Sequence, residues 1–301
     1  GIEFLPIRTA GPRNLPSQWL LEGPFDSSYS LALVNRSLAG ALAEGGTDVG
    51  LHSTEGPGDY APDRAALSAQ SMTLWQRGQR MTRPDVVLRN LYPPRVSGMR
   101  APTRLLASWG WEESAVPHEW IDRFNSELNL VTVVSHFVAK VLIDNGLRVP
   151  VAIVGNGADH VSHTKLEHPC YLAADGRFRF LHVSSGFPRK GTDILLEAWG
   201  LAFTRGDSVT LVIKTFPNPH NDLADQLAAF GRRFPDHAEV IWLNDDICDE
   251  EMLALYRCCD ALVMPSRGEG FGLPAAEAMR ERLPVIATAH GGMLEFCSPE
   301  T

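Results

Sequence analysis

Runs of Val, Ile and Leu alternate with longer stretches of helical period along most of the chain. In the first half they predict strands at 19–21, 49–52, 86–88, 104–108, 131–134 and 151–154. In the second half they predict strands at 178–184, 209–214, 240–243, 261–264 and 285–288. These runs lack apolar–polar alternation, as expected for strands of parallel sheets covered on both faces. The clearest helical periods span 29–43, 193–202, 221–233, 249–258 and 274–281, with Asp193, Asn221 and Asp249 as N-caps and Pro274 at a first helical position. Strand–helix–strand repetition with short connections predicts an α/β fold of two Rossmann-like domains, their parallel sheets facing an inter-domain cleft. The Gly-, His- and polar-rich stretch 155–177 marks the boundary, giving domains of 1–160 and 161–301. Ligands of such sheets bind beyond the carboxyl ends of the strands, so the residues after each strand are where chemistry is expected.

Composition narrows the functional class. A length of 301 residues suits two domains, and 44% hydrophobic with 21% charged residues is a globular balance. No apolar run reaches the roughly 18 residues needed to cross a bilayer, and no cleavable signal pattern opens the chain. A net charge of -9 argues against a nucleic-acid partner. The five cysteines, Cys170, Cys248, Cys258, Cys259 and Cys297, are odd in number and lack metal-ligand spacing. They read as free thiols in a reducing compartment, which makes the cytoplasm the expected location. The first residue is not Met and the last follows the start of another helical pattern, so an excised domain of a longer protein is expected. Peripheral membrane or multidomain association stays open.

The strongest motif is Met264-Pro-Ser-Arg-Gly-Glu-Gly-Phe-Gly-Leu-Pro-Ala-Ala-Glu-Ala-Met279. A strand end, a glycine-rich turn and a helix start aim free backbone N–H groups and the positive end of a helix dipole at one point, which suits a phosphate. Gly268, Gly270 and Gly272 are expected to let the backbone approach a ligand. Glu269 and Glu277 flank that point, and carboxylates so placed can grip vicinal sugar hydroxyls. A plain turn and an N-terminal helix charge pairing with Arg280 are the alternative.

This motif resembles the Glu–seven residues–Glu hallmark of the retaining GT-B glycosyltransferases of family four, the glycosyl transferases group 1. The likeness extends to Asp260-Ala-Leu-Val-Met-Pro-Ser266 and to Pro284-Val-Ile-Ala-Thr288 with Gly291-Gly292. The resemblance implies that Glu277 holds the nucleotide ribose, that Glu269 holds the transferred sugar, and that the amides of Phe271 to Leu273 contact sugar or diphosphate. Gly is usual in this family where the chain has Arg282. The segment Ser184-Ser-Gly-Phe-Pro-Arg-Lys-Gly191 is similar to the family's diphosphate-binding Arg and Lys. Lys190 matches the Lys, Ser185 stands at the Arg position, and Arg189 is the candidate replacement. Lys214 is a weaker third cation, more often a surface charge in such a position. Val154-Gly-Asn-Gly-Ala-Asp159 is similar to a family turn where the chain crosses between domains, a fold marker first and a cleft residue second.

The N-terminal half carries less. Asp26, in the loop after the first strand, is either a helix cap or a substrate contact. The stretch Ser108-Trp-Gly-Trp-Glu-Glu-Ser-Ala-Val-Pro-His-Glu-Trp120 combines three Trp with acids and one His, either a sugar-stacking surface or core with solvated acids. With Arg89-Asn-Leu-Tyr-Pro-Pro94 it resembles polysaccharide-assembling members, in which the family's usual His cannot be transferred to a position here. His118, His136, Glu112 and Glu113 stand as candidates instead. The catalytic set is thus Lys190, Glu269, Glu112 and His118. The donor-binding set is Ser185, Arg189, Lys190, Lys214, Gly270, Phe271, Gly272, Leu273 and Glu277. The resemblance implies a nucleotide-diphosphate sugar as donor, a glycan or lipid-linked acceptor, and neither metal nor cofactor. A catalytically silent sugar-nucleotide-binding module and a sugar-nucleotide epimerase are the alternatives.

Overall fold

The structure, a computed structural model, describes residues 17–27, 29–160, 164, 166, 172 and 175–298. The first half runs β1 (Gln18–Glu22), α1 (Ser30–Glu44), β2 (Asp48–His52), β3 (Thr54–Glu55), β4 (Gly58–Asp59), α2 (Ala69–Gly78), β5 (Val86–Arg89), β6 (Thr103–Trp109), α3 (His118–Glu127), β7 (Leu130–Val133), α4 (His136–Asp144) and β8 (Val151–Ile153). The second runs β9 (Phe178–Val183), α5 (Thr192–Ala202), β10 (Val209–Thr215), α6 (Leu223–Arg233), β11 (Glu239–Asn244), α7 (Asp249–Arg257), β12 (Ala261–Met264), α8 (Leu273–Arg280) and β13 (Val285–Ala287).

Two parallel sheets result, ordered β2-β1-β5-β6-β7-β8 and β11-β10-β9-β12-β13. Every strand expected from the apolar runs is present. Neighbouring residues of one strand pack into opposite layers: Leu20, Val87 and Leu106 join one cluster, while Leu21, Leu88 and Leu105 join another. In the second sheet Val212 faces one cluster while Leu211 and Ile213 face the other. With both faces buried, no polar alternation is needed. The antiparallel β3–β4 hairpin and helices α2, α3 and α4 were not expected, since short or polar-rich segments give little periodic signal.

The predicted caps fail in detail. Helix α5 starts after Gly191 at φ 72°, and Asp193 instead receives both Nη atoms of Arg267 at 2.8 and 2.7 Å. The N-cap of α6 is Asp222, with Asn221 accepting from the Leu223 N–H at 3.2 Å. Helix α7 begins at Asp249 and is capped by Cys248, whose N–H donates to Glu251 at 2.9 Å. Among the cysteines, Cys248, Cys259 and Cys297 are free but Cys258 is disulfide-bonded, so the expectation of free thiols fails there; Cys170 lies outside the described residues. No helix among the described residues is long and apolar enough to cross a membrane.

After β5 the chain is held by a buried ion pair, Arg89 donating through Nε to Glu22 at 2.7 Å and through Nη1 to the carbonyls of Arg95 and Ser97. This fixes the 90–98 loop over the carboxyl edge of the first sheet, where the cleft opens.

Arg282, just beyond α8, has φ 63°. An L residue with a Cβ is disfavoured in this left-handed region, whereas Gly is at ease there. Arg282→Gly should therefore stabilise the fold by up to about 1 kcal/mol, read as a higher melting temperature, and Arg282→Val should lower it.

Candidate active site

The carboxyl ends of both sheets face a cavity of about 820 Å³ lined by residues of both halves. Strands β9 and β12 are neighbours, so the loops that follow them meet although they lie far apart in sequence. The first delivers Ser184, Ser185, Arg189 and Lys190, and the second delivers Glu269, Gly270, Phe271 and Gly272. Helix α8 then begins at Leu273 behind Gly272, turning its amino end toward the cavity.

The centre of the site is an ion pair. Lys190 Nζ lies 2.6 Å from Glu269 Oε1, and the Ser266 hydroxyl donates to the same oxygen at 2.8 Å. Arg189 Nη1 stands 3.6 Å from the other oxygen. Burial alone would raise the Glu269 pKa, but the charges of Lys190 and Arg189, with the Lys190 and Ser266 hydrogen bonds, outweigh it and hold the carboxyl below its ordinary value. Glu269 is thus a buried anion whose Oε2 faces Arg189. Arg189 also spans the cleft, donating to the Gly268 carbonyl at 3.1 Å and pairing with Glu112 of the first half at 2.9 Å.

Two of the glycines make room for the first half. A Cβ on Gly268 would lie 2.5 Å from the Glu112 carbonyl oxygen, and one on Gly270 would lie 2.8 Å from the Trp111 nitrogen. These two glycines let the loop press against residues 110–112 of the first half. Ser135, the N-cap of α4, reinforces the contact by donating to the Gly270 carbonyl at 2.7 Å.

Glu277 is held from two sides. Tyr256 donates to Oε2 at 2.6 Å and His160 Nε2 lies 3.2 Å from Oε1. Neither Tyr256 nor His160 was a sequence candidate. Tyr256 sits in an ordinary apolar period of α7, and His160 one residue beyond the crossing turn, so nothing in the sequence ties either to Glu277.

Ser185, Lys214 and Glu113 also line the cavity. Lys214 is buried rather than a surface charge, its Nζ bonded to the carbonyls of Thr215 and Asp245 at 2.7 and 2.8 Å, and burial lowers its pKa. His118 is not brought to the cleft: it stands at the exposed amino end of α3, paired with Asp122 one turn on at 3.0 Å. His136 pairs with Glu295 across the two halves at 2.8 Å, outside the cavity lining. Asp26 neither caps α1 nor lines the cavity; it accepts from the Tyr60 hydroxyl and the Asp63 N–H. Trp109 and Trp111 stack on each other at 5.5 Å and are largely buried in the core, and both also line the cavity.

Beneath the ion pair, His182 of β9 is wholly buried, its Nδ1 donating to the Val263 carbonyl at 2.8 Å and its Nε2 facing the Thr192 hydroxyl at 3.3 Å. Desolvation drives its pKa from 6.5 to about 4, with the Lys190 charge acting in the same direction and the Val263 bond against it. The folded state thus resists a proton that the unfolded chain accepts, so stability falls as pH drops from 6.5 toward 4. The loss should be on the order of 3 kcal/mol, seen as a falling melting temperature across that window, and His182→Gln should flatten the slope.

Residues 177–301 match the family model described as glycosyl transferases group 1. Among curated proteins, an MMP alpha-(1->4)-mannosyltransferase of Mycolicibacterium hassiacum is 30% identical over 177 residues, covering 57% of this chain and 39% of that protein. A serotype-specific mannosyltransferase WbdA of Escherichia coli is 35% identical over 108 residues, 36% of this chain and 13% of that protein. The chain thus spans well under two thirds of these relatives. Among solved structures, sucrose-phosphate synthase from Thermosynechococcus elongatus has a TM-score of 0.68 at 17% identity, covering 94% of this chain and 84% of its own. HepE of Anabaena, in complex with UDP and glucose, has a TM-score of 0.62 at 16% identity, covering 94% and 83%. Residues 177–301 are thus similar to the glycosyl transferases group 1, and the chain adopts the GT-B fold.

Proposed function

We propose that the chain is a retaining hexosyltransferase that moves mannose or glucose from a nucleotide-diphosphate sugar to a glycan or lipid-linked acceptor in polysaccharide assembly. The observation that carries this reading is the convergence of Lys190, Arg189 and the amino end of α8 on Glu269 and Glu277 in one cavity. Cations and a helix dipole suit a departing diphosphate, while the two carboxylates suit sugar hydroxyls. The names of the mannosyltransferase relatives and the UDP and glucose bound by HepE support the sugar and donor classes.

In the proposed reaction the C1–O bond to the diphosphate breaks on the face where the acceptor oxygen bonds to C1. The acceptor proton passes to the leaving phosphate oxygen, and the configuration at C1 is kept. Lys190 and Arg189 balance the charge on the leaving group, so the reaction as proposed needs neither metal nor cofactor. Glu112, across the cleft on Arg189, is the acceptor-side carboxylate that this reading assigns to the chemistry. Cytoplasmic location is part of the same proposal, since nucleotide sugars are cytoplasmic metabolites.

A thermal-shift panel of UDP, GDP, UDP-glucose and GDP-mannose should raise the melting temperature with one base and not the other. Lys190→Ala should lower transfer by on the order of 100-fold or more. It should also destabilise the protein, because it strands the buried Glu269 charge. Adding Glu269→Gln should restore the melting temperature without restoring transfer. A protein that none of the four compounds stabilises, or a Lys190→Ala variant with full activity, would refute the reading. Tight binding with no turnover, to water or to acceptor, would point instead to a silent binding module.

A further inference from the structure

We infer that His160 is a positioning residue for the nucleotide, acting through Glu277; the inference rests on the donor-site reading above. An ionised carboxylate offers about four lone-pair directions on two oxygens. Tyr256 takes one on Oε2 at 2.6 Å, and His160 Nε2 pairs with Oε1 at 3.2 Å. Each oxygen then keeps capacity for a further donor, as a vicinal diol such as a ribose requires to donate two hydrogen bonds at once. With only the Tyr256 bond the group could rotate about its Cγ–Cδ axis; with both it is fixed.

The two anchors differ in kind. Tyr256 is wholly buried in α7 and packs in the core of the second half, so it holds Glu277 from below. His160 comes from the segment that crosses between the sheets, and it lines the cavity together with Asn156. Gly155, with φ 67°, turns that segment toward the site. Glu277 is itself 93% buried, so only its outer edge faces the cavity, and a rotated carboxylate would present one oxygen in place of two. A neutral imidazole protonated on Nε2 and an imidazolium both donate this bond, so it needs no particular charge state.

The test uses the whole chain, with UDP and GDP as calorimetric probes and UDP-glucose and GDP-mannose as donors. His160→Ala should weaken the preferred nucleotide by on the order of tenfold and raise the donor KM in parallel, with kcat at saturating donor within about twofold. His160→Gln, which returns an N–H donor at similar reach, should recover most of the affinity and keep the wild-type melting temperature. Unchanged nucleotide affinity in His160→Ala overturns the inference while leaving the donor-site reading intact. So does a parallel loss of melting temperature and affinity that Gln does not restore, because it marks a merely structural role. A wild-type chain that binds neither UDP nor GDP removes the donor-site reading and this inference with it.

Discussion

A carboxylate that is only 4% exposed stays ionised only where fixed positive charge offsets its lost hydration, and Glu269 meets that condition through Lys190. The pair depends on topology. Lys190 and Glu269 are separated by 79 residues, yet β9 and β12 pair directly in the sheet, so the turns that follow them share one edge. A change of strand order would leave a buried acid facing no cation. The ion pair is therefore a product of this strand order and the centre of the candidate chemistry, and Ser266 supports it.

The second sheet does not make the site alone. The glycine-rich loop closes against residues 110–112 and accepts a hydrogen bond from Ser135, so its backbone is set by the first half as much as by β12. Arg189 extends the same dependence to charge, since one guanidinium serves Glu112 on one side and Glu269 on the other. The net effect is a cleft whose walls are tied at its floor by backbone packing and at its rim by an ion pair.

The strands were legible because both faces of each sheet are covered, and continuous apolar runs such as Leu20–Leu21 and Val87–Leu88 are what that burial requires. The loop-to-helix junction at Gly272 was legible for a local reason: a glycine able to take φ 89° before a Pro-containing helix start is a sequence-level stop and start. Tertiary partners were not legible. Asp193 looks like a cap but pairs with Arg267, 74 residues away. Gly268 and Gly270 also make room for residues 110–112, which sequence cannot foresee. His118 and His160 are single histidines of similar local setting, yet one stands in solvent and the other against a buried carboxylate. The crossing of the chain between sheets decides this, and no local pattern encodes it.

Charge balance in the cleft sets how a dianionic group can enter it. Lys190 and Arg189 already face Glu269 and Glu112, and the Lys214 ammonium is committed to two backbone carbonyls. A diphosphate on the proposed reading therefore shares Lys190 and Arg189 with their present partners, while Arg36, which lines the cavity and donates to the Ser27 carbonyl, and the amino end of α8 add positive field. Lys190 is 12% exposed and held at 2.6 Å within a buried pair, whereas the Arg189–Glu112 pair is about one-third exposed on each side. Water screens the second pair more and its loss costs less. Arg189 is thus the cation that can change partner, and because its present partner belongs to the other half, any anion that takes it acts on the contact between the halves as well as on the site.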